Sequence, residues 1–321
     1  MTTISQSVKN EIIKNCDGLP ACCKRAFLSA AIRAAGSLEI SRDGMGFSIL
    51  SENAAFVHFC AKLLKTLYAA DCEIEAERNA LSQKTQYTLS AKKMQDALQD
   101  VGILYEDAEG YRQILPGANP SVVAKECCAR TFLRAYFVGS GMVELPESAE
   151  KDGYHLQMTT QTEEMAHSLQ SLFAYFRLSA KIVSRKHQYV VYFKDSEIIS
   201  DVLAFFGANR GVMKLQNIIA ERSVRNLRNR QSNCISGNIS KSVDASVRQV
   251  RAIETLQEKG GLDRLGEKLK EIALLRLANP TASLDELSAL CRVSKSGVNH
   301  RLRKLVALAE EASPPKEKEE K

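Results

Sequence analysis

The sequence predicts an α+β protein in which a duplicated αββαββα domain is followed by an all-α helix-turn-helix domain. Three observations carry this. The stretch "CCKRAFLSAAIRAAGSLE" at 22–39 returns as "CCARTFLRAYFVGSGMVE" at 127–144, a constant offset of 105 residues. Identity at Cys22/Cys127, Cys23/Cys128, Arg25/Arg130, Phe27/Phe132, Leu28/Leu133, Ala30/Ala135, Gly36/Gly141 and Glu39/Glu144, without a gap, marks a duplicated unit. Each copy is followed by the same succession of strand-period and helix-period segments. The charge then changes: residues 1–206 hold 22 Lys+Arg against 24 Asp+Glu, a net −2, whereas 207–321 hold 22 against 14, a net +8.

In the first copy a helix near 20–35 leads to a strand ending near Ile40 and a second near 46–51. The run "AFVHFCAKLLKTLY" sets Phe56, Phe59, Leu63, Leu64 and Leu67 on one side of a helix near 53–69. Strands near 72–79 and 85–90 follow, where "CEIEAE" alternates, and a helix near 91–101 closes the unit. The second copy predicts a helix near 125–139, strands near 142–145 and 154–160, a helix at 162–176, strands near 180–185 and 188–194, and a helix at 196–206. Hairpins separated by helices predict an antiparallel sheet covered on one face in each half, with the halves paired about a pseudo-twofold axis. The repeat helices are the expected contact, because small residues recur every fourth position: Cys22, Ala26, Ala30 and Ala34 in one, Cys127, Thr131, Ala135 and Gly139 in the other. Such a stripe lets backbones approach closely. Simple helix propensity explains it less well, since Thr131 and Gly139 are poor helix formers.

The C-terminal third carries the basic surface, which is where a polyanion is expected. Between Arg210 and Arg251 there are nine Lys+Arg and two acids, concentrated in "ERSVRNLRNRQSN". Arg222, Arg225 and Arg228 lie along one face of a helix, with Arg230 beside them; phosphate contact and a solvated linker helix are both open readings. Amphipathic helices follow at "ASVRQVRAIETLQE" and "LGEKLKEIALLRLA". Ser283 then caps "LDELSALC" with Glu286 in capping-box spacing, and Ser294 caps "KSGVNHRLRKLVALA", whose Val298, Leu302 and Leu305 form the buried stripe. The second helix has the chemistry of a major-groove reader: residues 292–304 hold five Lys+Arg and no acid. Ser294, Lys295, Ser296, Asn299 and His300 face away from the apolar stripe at its N-terminal end. Lys donates to guanine O6 and N7, Asn pairs with adenine, and Ser or a helix N-terminus holds phosphate. Arg301, Arg303 and Lys304 are placed for the DNA backbone, and Arg292 stands where such turns commonly have Gly, predicting a longer or strained turn. A helix-turn-helix also serves as a protein-docking module, and the cationic face favours DNA.

These patterns divide the chain into an N-terminal extension (1–19), the duplicated domain (20–206, repeats 20–101 and 125–206), a basic linker (207–245), the helix-turn-helix domain (246–311) and a disordered tail (312–321). No apolar run approaches membrane-helix length, and "MTTISQSVKNEIIKN" lacks the apolar core of a signal peptide, so a cytoplasmic, nucleoid-associated protein is expected. The nine cysteines are expected reduced. A zinc site is disfavoured, because neighbours on a helix point about 100° apart and do not easily share one metal. No metal or other cofactor is expected.

"LSAAIRAAG" (28–36) and "LRAYFVGSG" (133–141) resemble the two LAGLIDADG motifs of homing endonucleases, whose αββαββα halves pack through these helices over a DNA-binding saddle. In that family an acid precedes the closing glycine, and the two acids hold the metals for phosphodiester cleavage. Here the positions are Ala35 and Ser140, so the resemblance argues for the fold and against the activity, metal-assisted hydrolysis needing anionic oxygen ligands. Glu39 and Glu144, four residues on, are either outward strand positions or a relocated metal pair of a degenerate nuclease. With "NRQSNCISGNISKS" (229–242) and "SLDELSALCRVSKSGVNHRLRKL" (283–305), the chain resembles the bacterial WhiA family over nearly its whole length. That resemblance implies a non-catalytic binder of double-stranded DNA, a transcriptional regulator concerned with cell division, chromosome segregation and, in spore formers, sporulation. An adaptor docking a protein partner on the acidic N-terminal domain is the further alternative.

Overall fold

The computed structural model describes residues 3–42, 44–78, 83–146, 153–186 and 188–312, and divides into two units between Ser223 and Val224. The first unit opens with helix α1 (Ile4–Lys14) and then runs through the two repeats. The first is α2 (Ala21–Ala35), β1 (Gly36–Ser41), β2 (Gly44–Ser51), α3 (Ala54–Tyr68), β3 (Glu73–Arg78), β4 (Thr85–Ala91) and α4 (Gln95–Asp100). A short hairpin, β5 (Leu104–Glu106) and β6 (Arg112–Ile114), precedes the second. That repeat is α5 (Glu126–Ser140), β7 (Gly141–Glu144), β8 (His155–Thr160), α6 (Glu163–Tyr175), β9 (Lys181–Arg185), β10 (Gln188–Phe193) and α7 (Ser196–Phe206). The expected αββαββα order therefore appears twice, with α2 and α5 offset by the same 105 residues as the sequences.

Local chemistry sets the boundaries. Asn53 accepts from the Phe56 N–H at 3.1 Å to start α3, Thr162 starts α6, and Asp195 accepts from both Glu197 and Ile198 to start α7. Gly207, at φ 81°, ends α7 in the left-handed conformation that glycine adopts without a Cβ penalty. Each half forms a four-stranded antiparallel sheet with the same order, β1-β2-β4-β3 and β7-β8-β10-β9. Alternation places Phe47, Ile49 and Leu89 in the first sheet, and Leu156, Met158 and Val191 in the second, on the buried face.

Helices α2 and α5 make the most extensive element pairing of the molecule. Ala26, Ala30, Thr131 and Ala135 are buried between them, and a Cβ added to Gly139 would lie 2.7 Å from the Ala34 Cβ. The small-residue stripe is thus required by the approach of the two backbones.

Three features differ from the sequence expectation. Residues 1–19 are not an extension outside the fold, because α1 buries Val8, Ile12 and Ile13 in the same core, and Asn15 donates to the Gly207 carbonyl at 2.8 Å. The hairpin β5–β6 has no counterpart in the expected scheme. The stretch expected as a linker lies in one continuous helix, α8 (Asn209–Glu258), with no break near 245. No Pro or Gly occurs between 212 and 236, and the lone Gly237 costs about 1 kcal/mol, too little to end a helix by itself. The first unit takes in α8 as far as Ser223, burying Leu215 and Ile218.

The second unit comprises the rest of α8 with α9 (Glu267–Ala278), α10 (Leu284–Cys291) and α11 (Lys295–Glu311). Ile253, Leu256, Ile272, Leu287, Val298, Leu302 and Leu305 make its core. Arg248 and Glu310 form an exposed ion pair at 2.6 Å between the ends of α8 and α11. The tail expected to be disordered lies, from 313 onward, outside the described residues.

Candidate nucleic-acid interface

Helix α10 begins with a complete capping box: the Ser283 hydroxyl accepts from the Glu286 N–H at 3.2 Å, and the Glu286 carboxylate accepts from the Ser283 N–H at 2.7 Å. That backbone hydrogen bond holds the Glu286 carboxyl below its ordinary range. The preceding turn is fixed by Arg276 of α9, which is buried and donates to the Ala282 carbonyl at 2.6 Å; burial lowers its pKa.

The turn between α10 and α11 is tight. Arg292 occupies the left-handed region at φ 51°, the strained geometry foreseen where Gly is usual, at a cost on the order of 1–2 kcal/mol for a residue with a Cβ. The Ser288 hydroxyl donates to the Val293 carbonyl at 2.6 Å, and Gly297 leaves room for Val293, whose Cγ1 would stand 2.7 Å from an added Cβ. Ser294 then caps α11, accepting from the Gly297 N–H at 3.2 Å.

On α11 the buried stripe is Val298, Leu302, Leu305 and Ala309. Arg292, Ser294, Lys295, Ser296, His300, Arg303 and Lys304 are exposed, whereas Asn299 and Arg301 are half-buried. The arrangement brings a hydroxyl pair, Ser294 and Ser296 at 3.1 Å, to the helix start and leaves two cations near its middle. Sequence reasoning missed one contact: the Lys295 ammonium pairs with Asp285 of α10 at 2.6 Å, both side chains mostly exposed. An acid at the second position of one helix and a Lys at the first of the next was the available signal.

The four arginines upstream do not behave alike. Arg228 and Arg230 are exposed on α8; Arg225 is half-buried. Arg222 is half-buried and lies 4.6 Å above the Tyr154 ring, a cation–π contact inside the first unit.

The first unit presents a different electrostatic surface. Register pairs Ile74 with Leu89 on the covered face, which leaves Glu73, Glu75 and Glu77 opposite Ser90, Thr88 and Gln86 on the uncovered one. Glu39 joins them through its pairing with Gly46. The second sheet turns Lys181 and Arg185 outward, with Glu144 at its far edge strand. Ala35 and Ser140 end α2 and α5, where they offer a methyl and a hydroxyl that bonds to the Tyr136 carbonyl at 3.4 Å. Glu39 and Glu144 are exposed strand residues.

At the opposite end of the same helices the structure corrects one sequence argument. The thiols of Cys22, Cys23, Cys127 and Cys128 converge, all four Sγ atoms lying within 4.8 Å of one another. Adjacent residues on one helix do diverge, but two helices starting side by side bring two such pairs together.

Two halves built on LAGLIDADG-like repeat helices, joined to a helix-turn-helix unit with a cationic second helix, define the class of protein. Residues 21–104 match the WhiA N-terminal LAGLIDADG-like domain, 129–225 the WhiA LAGLIDADG-like domain, and 229–309 the WhiA C-terminal HTH domain. A "Probable cell division protein WhiA" of Alkaliphilus metalliredigens (strain QYMF) is 35% identical over 313 residues, covering 95% of this chain and 97% of its own length. Its counterpart in Desulforamulus reducens is 36% identical over 319 residues, 98% of both. The crystal structure of full-length DUF199/WhiA from Thermatoga maritima shares the fold at a TM-score of 0.58 and 24% identity, covering 96% of this chain and 98% of that one. The chain belongs to the WhiA family.

Proposed function

We propose that this protein is a non-catalytic, DNA-binding regulator connected with cell division, in which α10 and α11 contact duplex DNA and the duplicated unit serves as a platform. The observation that carries this reading is the two-sided character of α11: a buried apolar stripe on one side, and Lys295, Asn299, His300, Arg303 and Lys304 on or beside the other. A helix of this kind, capped by Ser294, presents donors for base edges at its start and cations for phosphates further on. Arg228 and Arg230 extend the basic surface as sequence-independent phosphate contacts; Arg222 and Arg225, being half-buried, are weaker candidates. The names of the relatives connect the protein with division; roles in transcription, chromosome segregation and, in spore formers, sporulation follow from the family resemblance. Loss of the acids at Ala35 and Ser140, together with Glu39, Glu73, Glu75 and Glu77 on one sheet face, supports a platform rather than a nuclease saddle.

Chromosome-wide mapping of the tagged protein tests this reading, compared with a variant carrying Arg303→Ala and Lys304→Ala. Discrete sites that vanish in the variant are expected. A pattern indifferent to the variant, with protein partners still recovered, would move the function to docking by the first unit.

A further inference from the structure

Nothing in the proposed DNA-binding role uses the four thiols at the start of the repeat helices. Cys22 and Cys23 occupy the second and third positions of α2, and Cys127 and Cys128 the same positions of α5. Within one pair, the Cys127 and Cys128 sulfurs are 3.9 Å apart. A tetrahedral zinc tetrathiolate, with Zn–S about 2.3 Å, has S···S edges of about 3.8 Å. Since no pair in the cluster exceeds 4.8 Å, side-chain rotation and a shift of at most about 1 Å per edge bring all four sulfurs onto one ion.

We propose that Cys22, Cys23, Cys127 and Cys128 form a closed tetrathiolate site for a single divalent zinc ion, which clamps the two halves of the duplicated unit at the N-terminal ends of α2 and α5.

The surroundings match the charge of such a site. Four thiolates around Zn²⁺ carry a net −2. Both helices direct the positive ends of their dipoles toward it, and neither has a side-chain N-cap, so first-turn N–H groups remain available to sulfur, apart from that of Cys128, which bonds to the Lys125 carbonyl. The Cys127 and Cys128 sulfurs already lie within hydrogen-bonding distance of each other. Four soft ligands select zinc or iron over magnesium or calcium, and the short mutual distances favour one ion over a multi-iron cluster, whose larger core spreads its thiolates. With all four positions filled by protein, the site is structural. Ions and carboxylates at the C-terminal ends of these helices are what the nuclease-like motif implies; here the metal-binding chemistry sits at their other ends.

The test uses the full chain purified under reducing conditions. Elemental analysis should give one zinc per chain, and Co²⁺ added after zinc removal should produce the intense visible bands of tetrahedral cobalt thiolate. Cys22→Ser combined with Cys127→Ser should abolish both signals, whereas Cys72→Ser, outside the cluster, should leave them intact. Should the double variant fail to fold, alkylation of the unmodified chain decides: zinc should shield these four of the nine cysteines, as read by peptide mass spectrometry. Absence of stoichiometric zinc and cobalt uptake, uptake that survives the double substitution, shielding of other cysteines, a disulfide among the four in the reduced protein, or iron as the bound ion would each overturn the assignment.

Discussion

Lys295 stands between two roles. Its ammonium pairs with Asp285 at 2.6 Å in the free protein, yet its place at the start of α11 suits a guanine edge. The pair is exposed on both sides, so it is worth at most about 1 kcal/mol and can be exchanged for DNA. Asp285→Asn should therefore tighten binding to all duplexes, since it removes a charge that repels phosphate, and tighten it further at a preferred site, where it also frees the lysine. Lys295→Ala and Asn299→Ala should cost about 1–3 kcal/mol at a preferred site while sparing random duplex. Parallel titrations on specific and random DNA check both expectations. Equal losses on the two duplexes would reduce the start of α11 to an electrostatic anchor. The identity of these residues was legible from cap spacing and apolar period; the Asp285 pair was not, because it depends on how α10 and α11 meet.

At the scale of elements, the repeat helices and the two sheets were readable because their signals are local: period, caps and an ungapped repeat. Where tertiary contact decides, the sequence was silent. Helix α1 was legible only in retrospect, through Val8, Ile12 and Ile13, and the long α8 merges segments that each read as separate. The cysteine cluster shows the same limit, since its geometry arises only when α2 and α5 are side by side. The closeness of that pairing is testable. Gly139→Val introduces a Cβ where Ala34 leaves 2.7 Å, so the helices must part, at about 1–3 kcal/mol, read as a lower unfolding midpoint of the first unit. An unchanged midpoint would contradict the interface.

Helix α10 supplies a second element-level expectation. Ser283→Ala should cost about 1 kcal/mol and raise amide exchange across Leu284–Cys291. Because the folded state holds the Glu286 carboxyl below its unfolded value, the unfolded chain binds more protons in the acid range. Its contribution is then fully present above about pH 4.3 and is lost as pH falls through the lower folded value. Glu286→Gln should flatten that acid dependence, and an unaltered acid profile of exchange across α10 would refute the link.

Over the whole molecule, charge is unevenly distributed: the chain is net −2 over 1–206 and +8 over 207–321. The uncovered face of the first sheet is acidic, and the motif acids are replaced by Ala35 and Ser140. The intact protein should leave supercoiled plasmid uncut in Mg²⁺ or Mn²⁺. Nicking that disappears in a Glu39→Gln, Glu144→Gln double variant would restore the nuclease reading.

The central claim, that α11 is the surface holding DNA, is tested most directly by the salt dependence of duplex binding. Each phosphate contact adds about 0.9 to the slope of log affinity against log salt. For Arg303→Ala with Lys304→Ala in the full chain, weaker binding on every duplex and a slope shallower by about two units are expected. An unchanged affinity and slope would contradict the claim and place the DNA contact elsewhere in the protein.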